Sequence, residues 1–410
     1  MNFLFKTYLV SFAFFTFANY GGYMPISLIL ILLISFLFFF QLLVTKKIFV
    51  TKFDFADIIL FSFLIISTIS YFTSSHIDLN FNHLISHFSV FIFFYLIVKI
   101  YLFNLPKKIL FTTISSYLDI IFYTIVLTTL VDYVLFGFGI NLADYLPLET
   151  RNIVFGESWG VRARGFFVEP TDLALALNIY GPLNIGFNLI QKQKIKFYIG
   201  IFFYISLLIL TRSTSGFFEI LSSLFIIIFY ISLQKKGFKI SIKYSFFKKA
   251  FIFIFIIIVC YLIFKDSLSL AILEFTRKFD FINSNFNTGD VRVEFWVDAV
   301  DIIKSFNIHE LLIGSGTGYT SLNVKTFNWY LTLFIENGLI GIILIILFFI
   351  LKIYKCFKIK NKIKYFYFIA IFSIFLHLFS QVGYFYPYVW FPFAMLDLFY
   401  SRFNDNLIKI

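Results

Sequence analysis

The sequence predicts an all-α polytopic membrane protein of about twelve transmembrane helices, with two long external loops that contain short helices. Three observations predict it. Hydrophobic residues make up 60% of the 410 residues and charged residues 14%, at a mean hydropathy of +0.91, which excludes an ordinary soluble domain. Apolar runs of roughly 17–25 residues recur along the chain, the length a helix needs to cross a hydrocarbon core of about 30 Å. The short alternating segments of a membrane barrel do not occur.

In chain order, spans are expected near residues 8–22, 26–44, 55–72, 84–101, 117–136 and 171–190, then near 197–211, 216–233, 250–264, 330–351, 365–381 and 388–400. The first has only Lys6 before it and no small-residue cleavage site, so it reads as a helix and not as a signal peptide. Residues 1–410 then form a single integral membrane domain, with 137–170 and 265–329 as the long external loops.

Lysines set the orientation. Lys46, Lys47 and Lys52, then Lys107 and Lys108, Lys192 to Lys196, Lys235 to Lys249 and Lys352 to Lys364 follow alternate spans, and Lys6, Lys99, Arg402 and Lys409 join them. By the positive-inside rule these face the cytoplasm, with both termini. The net charge of +12 therefore reflects lysines facing anionic lipid and gives no reason to expect a nucleic-acid partner. Arginines do the reverse: Arg151, Arg162, Arg164, Arg212, Arg277 and Arg292 fall outside and only Arg402 inside. Topology is indifferent between Lys and Arg, so it does not account for that split. A guanidinium fork binds carboxylate or phosphate oxygens bidentately, which an ammonium does not. Loop solubility and headgroup contact are the alternative reading.

The first loop ends in Arg162-Ala163-Arg164-Gly165-Phe166-Phe167-Val168-Glu169-Pro170-Thr171-Asp172. Pro170 and Thr171 are start signals for the helix that follows. Its N-terminal amides and dipole would point at the arginine pair and make an anion site, against the plainer reading of a capped helix with Glu169 compensating the arginines. In the second loop, 269–279 and 291–306 read as short helices, the latter with Val293, Trp296, Val297, Val300 and Ile303 on its apolar face and Asp290 as a cap. Arg292 lies toward that face, either as a ligand-binding cation or with its stem packed over Trp296. The turn Gly314-Ser315-Gly316-Thr317-Gly318 lacks the Gly-Lys-Ser/Thr ending of a P-loop and carries no nucleotide site. Asn328 and Tyr330 precede Glu336, which reads as partly buried, either functional or snorkelling to the interface. No external cluster of His, Cys, Asp and Glu has metal-ligand spacing, so neither a metal nor another cofactor is expected. Cys260 falls in a span and Cys356 in the cytoplasm, so no disulfide is expected.

These segments, in order, resemble motifs of the Wzy-type O-antigen polymerases, relatives of the O-antigen ligases. The elements are Arg162 or Arg164 with Gly165, Glu169 and Pro170; Thr211-Arg212-Ser213-Thr214-Ser215-Gly216; Arg292 with Trp296; the glycine turn; Asn328-Trp329-Tyr330-Leu331; and Glu336-Asn337-Gly338-Leu339-Ile340-Gly341. The resemblance covers most of the chain. One departure is Phe327, where ligases often carry a histidine; the nearby His309 is not given that role.

The resemblance implies a metal-independent glycosyltransferase of the bacterial inner membrane, working on its periplasmic side. It would pass a growing glycan from undecaprenyl diphosphate to a sugar hydroxyl of a new lipid-linked repeat unit. Arg164, Glu169 and Arg292 are the implied catalytic residues, with Glu169 as general base and Glu336 as the runner-up for that role. Arg162, Arg212, Asn328, Tyr330 and Glu336 are the implied substrate-binding residues. A chain-length regulator and a flippase are implied partners. An O-antigen ligase acting on lipid A core and a lipid-linked oligosaccharide flippase remain the alternatives. For the flippase, Asp119, Asp132, Glu219 and His377 are the polar groups within or near spans.

Overall fold

The structure is a computed structural model that describes residues 2–18, 26–45, 53–76, 78–106, 109–140, 162–167, 169–234 and 291–403. Among these the only regular secondary structure is helical. Helix α1 spans Asn2–Val10 and runs into a 3₁₀ stretch, Ser11–Ala18. Then come α2 (Ile26–Thr45), α3 (Phe55–Thr73) and α4 (Phe81–Phe103), the last wound as a π-helix over Ser89–Ile97. Helices α5 (Leu110–Gly137), α6 (Pro170–Ile190), α7 (Lys194–Thr211) and α8 (Thr214–Gln234) follow. The final group is α9 (Val291–Lys304), α10 (Ile308–Ile313), α11 (Tyr319–Asn323), α12 (Trp329–Lys358), α13 (Ile363–His377) and α14 (Pro387–Phe403).

Seven of the described helices are long and apolar enough to cross a membrane: α3 to α7, α8 over Thr214–Ile231, and α12. This is the architecture of a helical membrane protein. Of the remaining expected spans, those at 26–44 and 365–381 contain shorter apolar helical stretches, Ser27–Phe40 and Ile363–His377, and 388–400 lies within α14. The expected span at 8–22 is covered in part by α1 and the 3₁₀ stretch. The span at 250–264 and the short helix at 269–279 lie outside the described residues, as do Asp290, Arg151 and Arg277.

The chain divides into two compact units. The first comprises Met1–Tyr8, Ser27–Phe111 and Asn285–Ile410; the second comprises Leu9–Ile26 and Thr112–Ser284.

In the second unit α6 is the central helix, buried along almost its whole length. Polar side chains tie it to its neighbours. The Asn178 amide donates to the Gly216 carbonyl and to Glu219 at 2.9 Å each and accepts from the Tyr204 hydroxyl at 2.8 Å, so α6, α7 and α8 meet through one side chain. Near the far end of α6, Asp119 accepts from Asn184 and from the half-exposed Lys196, both at 2.7 Å.

The first unit is built inside out, as a lipid-exposed protein must be. On α3, Ile58, Phe61, Ile65, Ile69 and Phe72 are exposed at spacings of three and four, while Asp57, Ser67 and Ser70 are buried. Asp57 belongs to a buried ionic network. Lys99 of α4 sits 2.7 Å from Asp57 and 3.1 Å from both Asp54 and Asp397. On α12, Lys352 contacts Asp397 at 2.6 Å, and Lys355 contacts Asp397 at 2.7 Å and Asp54 at 2.6 Å. The Tyr95 hydroxyl lies 2.6 Å from an oxygen of both Asp57 and Asp397, and Lys352 donates to it at 2.8 Å. At Asp54, before α3 begins, burial and the Asp397 carboxylate push the pKa up, but Lys352, Lys99 and Lys355 outweigh them and hold it below the ordinary value. Three carboxylates converge closely enough to suit a cation, but three ammonium groups already answer their charge. Lys99, Lys352 and Lys355, which the sequence assigns to topology, are therefore structural ion-pair members, and Asp57 and Asp397 are buried acids that it leaves unremarked.

Removing one partner from such a network strands a buried charge and costs about 3–5 kcal/mol, whereas an exposed pair contributes less than about 1 kcal/mol. Asp397→Leu is expected to lower the thermal midpoint in detergent strongly, and Lys196→Ala to leave it within a degree or two. Equal effects of the two substitutions would refute the network's structural role.

Candidate functional site

The second unit gathers three of the arginines at the helix ends. The last carbonyls of α7 have no partner within the helix, and Arg162 supplies one: its Nε donates to the Thr211 carbonyl at 3.0 Å and its Nη2 to the Arg212 carbonyl at 3.3 Å. Ala163 adds a backbone bond to Leu210 at 2.9 Å. Arg212 itself ends the helix in the left-handed region at φ 49°, a conformation a non-glycine residue adopts only under local constraint. Arg164 and Arg212 are both buried, at 7% and 5% exposure.

Helix α6 starts at Pro170 as expected, but the capping residue is Glu169 and not Thr171. The Glu169 amide donates to the Asp172 carboxylate at 3.2 Å, and its own carboxylate accepts from the Thr171 hydroxyl at 2.9 Å. Ser213 opens α8 in a similar way, accepting from the Gly216 amide at 3.2 Å.

The first unit holds the other candidates. Helix α12 breaks at Gly338, whose φ of 64° and ψ of −167° leave the helical region. The break releases carbonyls on the preceding turn, and other segments claim them. The Ser315 amide donates to Ile335 at 2.7 Å, and the Ser70 hydroxyl donates to the Glu336 carbonyl. For this the glycine turn must run backbone against backbone. A Cβ on Gly314, at φ 94°, would lie 2.3 Å from the Glu336 carbonyl, and one on Gly338 would lie 2.4 Å from Leu312 backbone atoms. The glycines are thus a packing device around Glu336.

Glu336 is fully buried, so it is neither partly buried nor snorkelling as the sequence suggested. One carboxylate oxygen accepts from the Thr320 amide at 3.2 Å and from the Thr320 hydroxyl; the other lies 3.1 Å from His83 Nδ1. Behind His83 are His87, with ring centroids 5.7 Å apart, and Tyr384 at 6.1 Å, which in turn stacks on Trp329 at 5.0 Å. Asn337 adds bonds to Thr317 at 2.9 Å and Ser67 at 3.2 Å.

The remaining candidates have structural employment. The Asn328 side chain caps α12 by accepting from the Leu331 amide at 3.1 Å, and the Tyr330 hydroxyl donates to the Phe375 carbonyl at 2.9 Å. Phe327, before the cap, lies at φ 46° with its ring 5.4 Å from Phe295. Arg292 falls in the first turn of α9, and its side chain lies outside the described residues. Among the described side chains of α9 the buried one is Ala299, whereas Val297 and Val300, expected on the packed face, are 53% and 40% exposed. His309 is exposed. The structure therefore brings together Arg162, Arg164 and Arg212 in one unit, and in the other surrounds Glu336 with His83 and Thr320, which the sequence reading missed. A histidine at the start of an apolar helix and another one turn later, in a chain with only five, was the available signal.

Gly314→Ala must both strain a left-handed position and drive a methyl into the Glu336 backbone, so folded protein is expected to fall severely. Gly137→Ala, at a site with open space around it, is expected to melt like the parent protein in the same detergent assay.

No protein-family model and no curated protein matches this chain.

Proposed function

We propose that this chain is a metal-independent glycosyltransferase that polymerises lipid-linked repeat units on the outer side of a bacterial inner membrane, taking the growing glycan from undecaprenyl diphosphate. The observation that carries the reading is the burial of Arg164 and Arg212, 7% and 5% exposed. Arginines serving loop solubility would stand in water. The ordered motifs resembling O-antigen polymerases supply the substrate class, and the lysine distribution supplies the side of the membrane.

The chemistry is displacement at a sugar carbon. The acceptor hydroxyl loses a proton, its oxygen forms the new bond, and the bond to the diphosphate breaks with its electron pair leaving on phosphate oxygen. Fixed guanidinium groups stabilise that growing charge in a site of low dielectric. Arg164, with Arg212 and Arg162 of the same unit, takes this role; Arg292 belongs to the other unit and is a candidate by resemblance alone. Arg162 also holds the end of α7, so its loss acts through Arg212 as well. Glu169 and Glu336 are the carboxylates in the two units from which acceptor activation can be built, and Asn328 and Tyr330 shape the Glu336 region.

Purified protein in nanodiscs, supplied with lipid-linked repeat units, is expected to give a polymer ladder. Transfer only to an added core acceptor would make it a ligase, and neither product would point to a transporter. Arg164→Lys keeps the charge and loses the fork, so ladder formation is expected to fall roughly 100-fold at equal protein level. Normal polymer from that variant would reduce Arg164 to a solvating or purely structural residue.

A further inference from the structure

His83 and Glu336 have the arrangement of a general base and the carboxylate that holds it. Glu336 is wholly buried, while the His83 side chain is 19% exposed. Nδ1 faces the carboxylate at 3.1 Å, and Nε2, on the far side of the ring, has no hydrogen-bond partner among the described residues. A carboxylate accepting from Nδ1–H fixes the tautomer that leaves the Nε2 lone pair free to accept a proton, and stabilises the imidazolium that results. Thr320 binds the other Glu336 oxygen through amide and hydroxyl, so the carboxylate cannot swing away. The break at Gly338 and the glycine turn hold Thr320 and Glu336 together.

The groups facing the His83 ring are Glu336 from α12, His87 from α4 itself and Tyr384 from the segment before α14. His87 is buried, and its Nδ1 lacks a hydrogen-bond partner. Of the two histidines of α4, His83 is the one held by a carboxylate, and its side chain is partly exposed.

We infer that His83 Nε2 takes the proton from the acceptor sugar hydroxyl, with Glu336 as its positioning residue. The inference rests on the polymerase reading and moves the base from Glu169 to α4. The proton passes from the acceptor oxygen to Nε2 as that oxygen bonds to the donor sugar carbon; the diphosphate leaves with the electron pair of the broken bond, and the imidazolium afterwards returns its proton to water.

The test uses the full chain in nanodiscs with lipid-linked repeat units. His83→Asn keeps an amide donor toward Glu336 and removes the base; it is expected to lower the polymerisation rate roughly 100-fold or more, with KM little changed and the thermal midpoint retained. Wild-type rate is expected to rise with pH along a limb that the variant lacks. Glu336→Gln is expected to lower kcat and shift that limb, and the double variant to fall little further than His83→Asn alone. A His83→Asn protein that melts normally and polymerises within about three-fold of wild type, or keeps the same pH limb, overturns the inference. If His83→Asn melts early, His83→Gln and the wild-type profile decide, and a flat profile overturns it. Absence of a ladder from wild-type protein overturns the polymerase reading itself, which separates the two failures.

Discussion

A carboxylate carried into an interior without water must be met by donors or it will not stay ionised, and one end of the first unit is arranged around that demand at Glu336. An unanswered charge there costs several kcal/mol, while each charge-assisted hydrogen bond contributes about 1.5–3 kcal/mol net. One donor is therefore too few. The chain supplies Thr320 twice, from 16 residues before Glu336, and His83 once, from 253 residues before it. Bringing Thr320 so close requires the turn at 314–318 to touch the α12 backbone, which only glycine permits, and requires α12 to open at Gly338 so that Ser315 and Ser70 find acceptors. The broken helix, the glycine turn and the buried acid are one constraint seen from three sides.

The same helix carries the opposite solution at its other end. Glu336 and Lys352 are about 24 Å apart at the helical rise, comparable with a hydrocarbon core, and both are fully buried. Where Glu336 is met by neutral donors and one imidazole with access to the surface, Lys352 is enclosed in a network of matched opposite charges. A saturated network of that kind suits holding α3, α4, α12 and α14 in register. A carboxylate holding one nitrogen of a partly exposed imidazole suits moving a proton. The two centres are chemically distinct although a residue count would call both simply polar.

Helix positions were legible because lipid demands long apolar segments whatever their partners: the expected 26–44, 55–72, 171–190 and 197–211 agree with α2, α3, α6 and α7 to within a few residues. Packing inside the membrane was not, because hydrophobicity no longer distinguishes the buried face from the lipid face. On α9, in the second external loop, apolar spacing put Val297 and Val300 inward, while Ala299 is the buried one among the described side chains of that helix. Charge was illegible by depth. Lys99 and Lys352 follow the lysine pattern, yet each is cancelled by aspartates from helices that only the fold brings near, so they add no net charge to that end. The arginine segment was found because arginine is rare here; His83 was passed over although histidine is rarer still.

The preference for arginine at the ends of α6, α7 and α8 has a structural component that sequence alone ran together with ligand binding. Closing α7 takes two donors at once, toward the Thr211 and Arg212 carbonyls, from a group held at one angle, and the Nε–Nη2 edge of Arg162 meets that need. An ammonium places its protons on a cone about a flexible stem and would satisfy one carbonyl at the expense of the other. Arg212 is in the left-handed region because the helix ends there, so Arg162 fixes the backbone from which a second guanidinium projects. Arg162 and Arg212 are thereby coupled through backbone, not through charge. That is why lysine would fail at Arg162 even if no phosphate ever approached it.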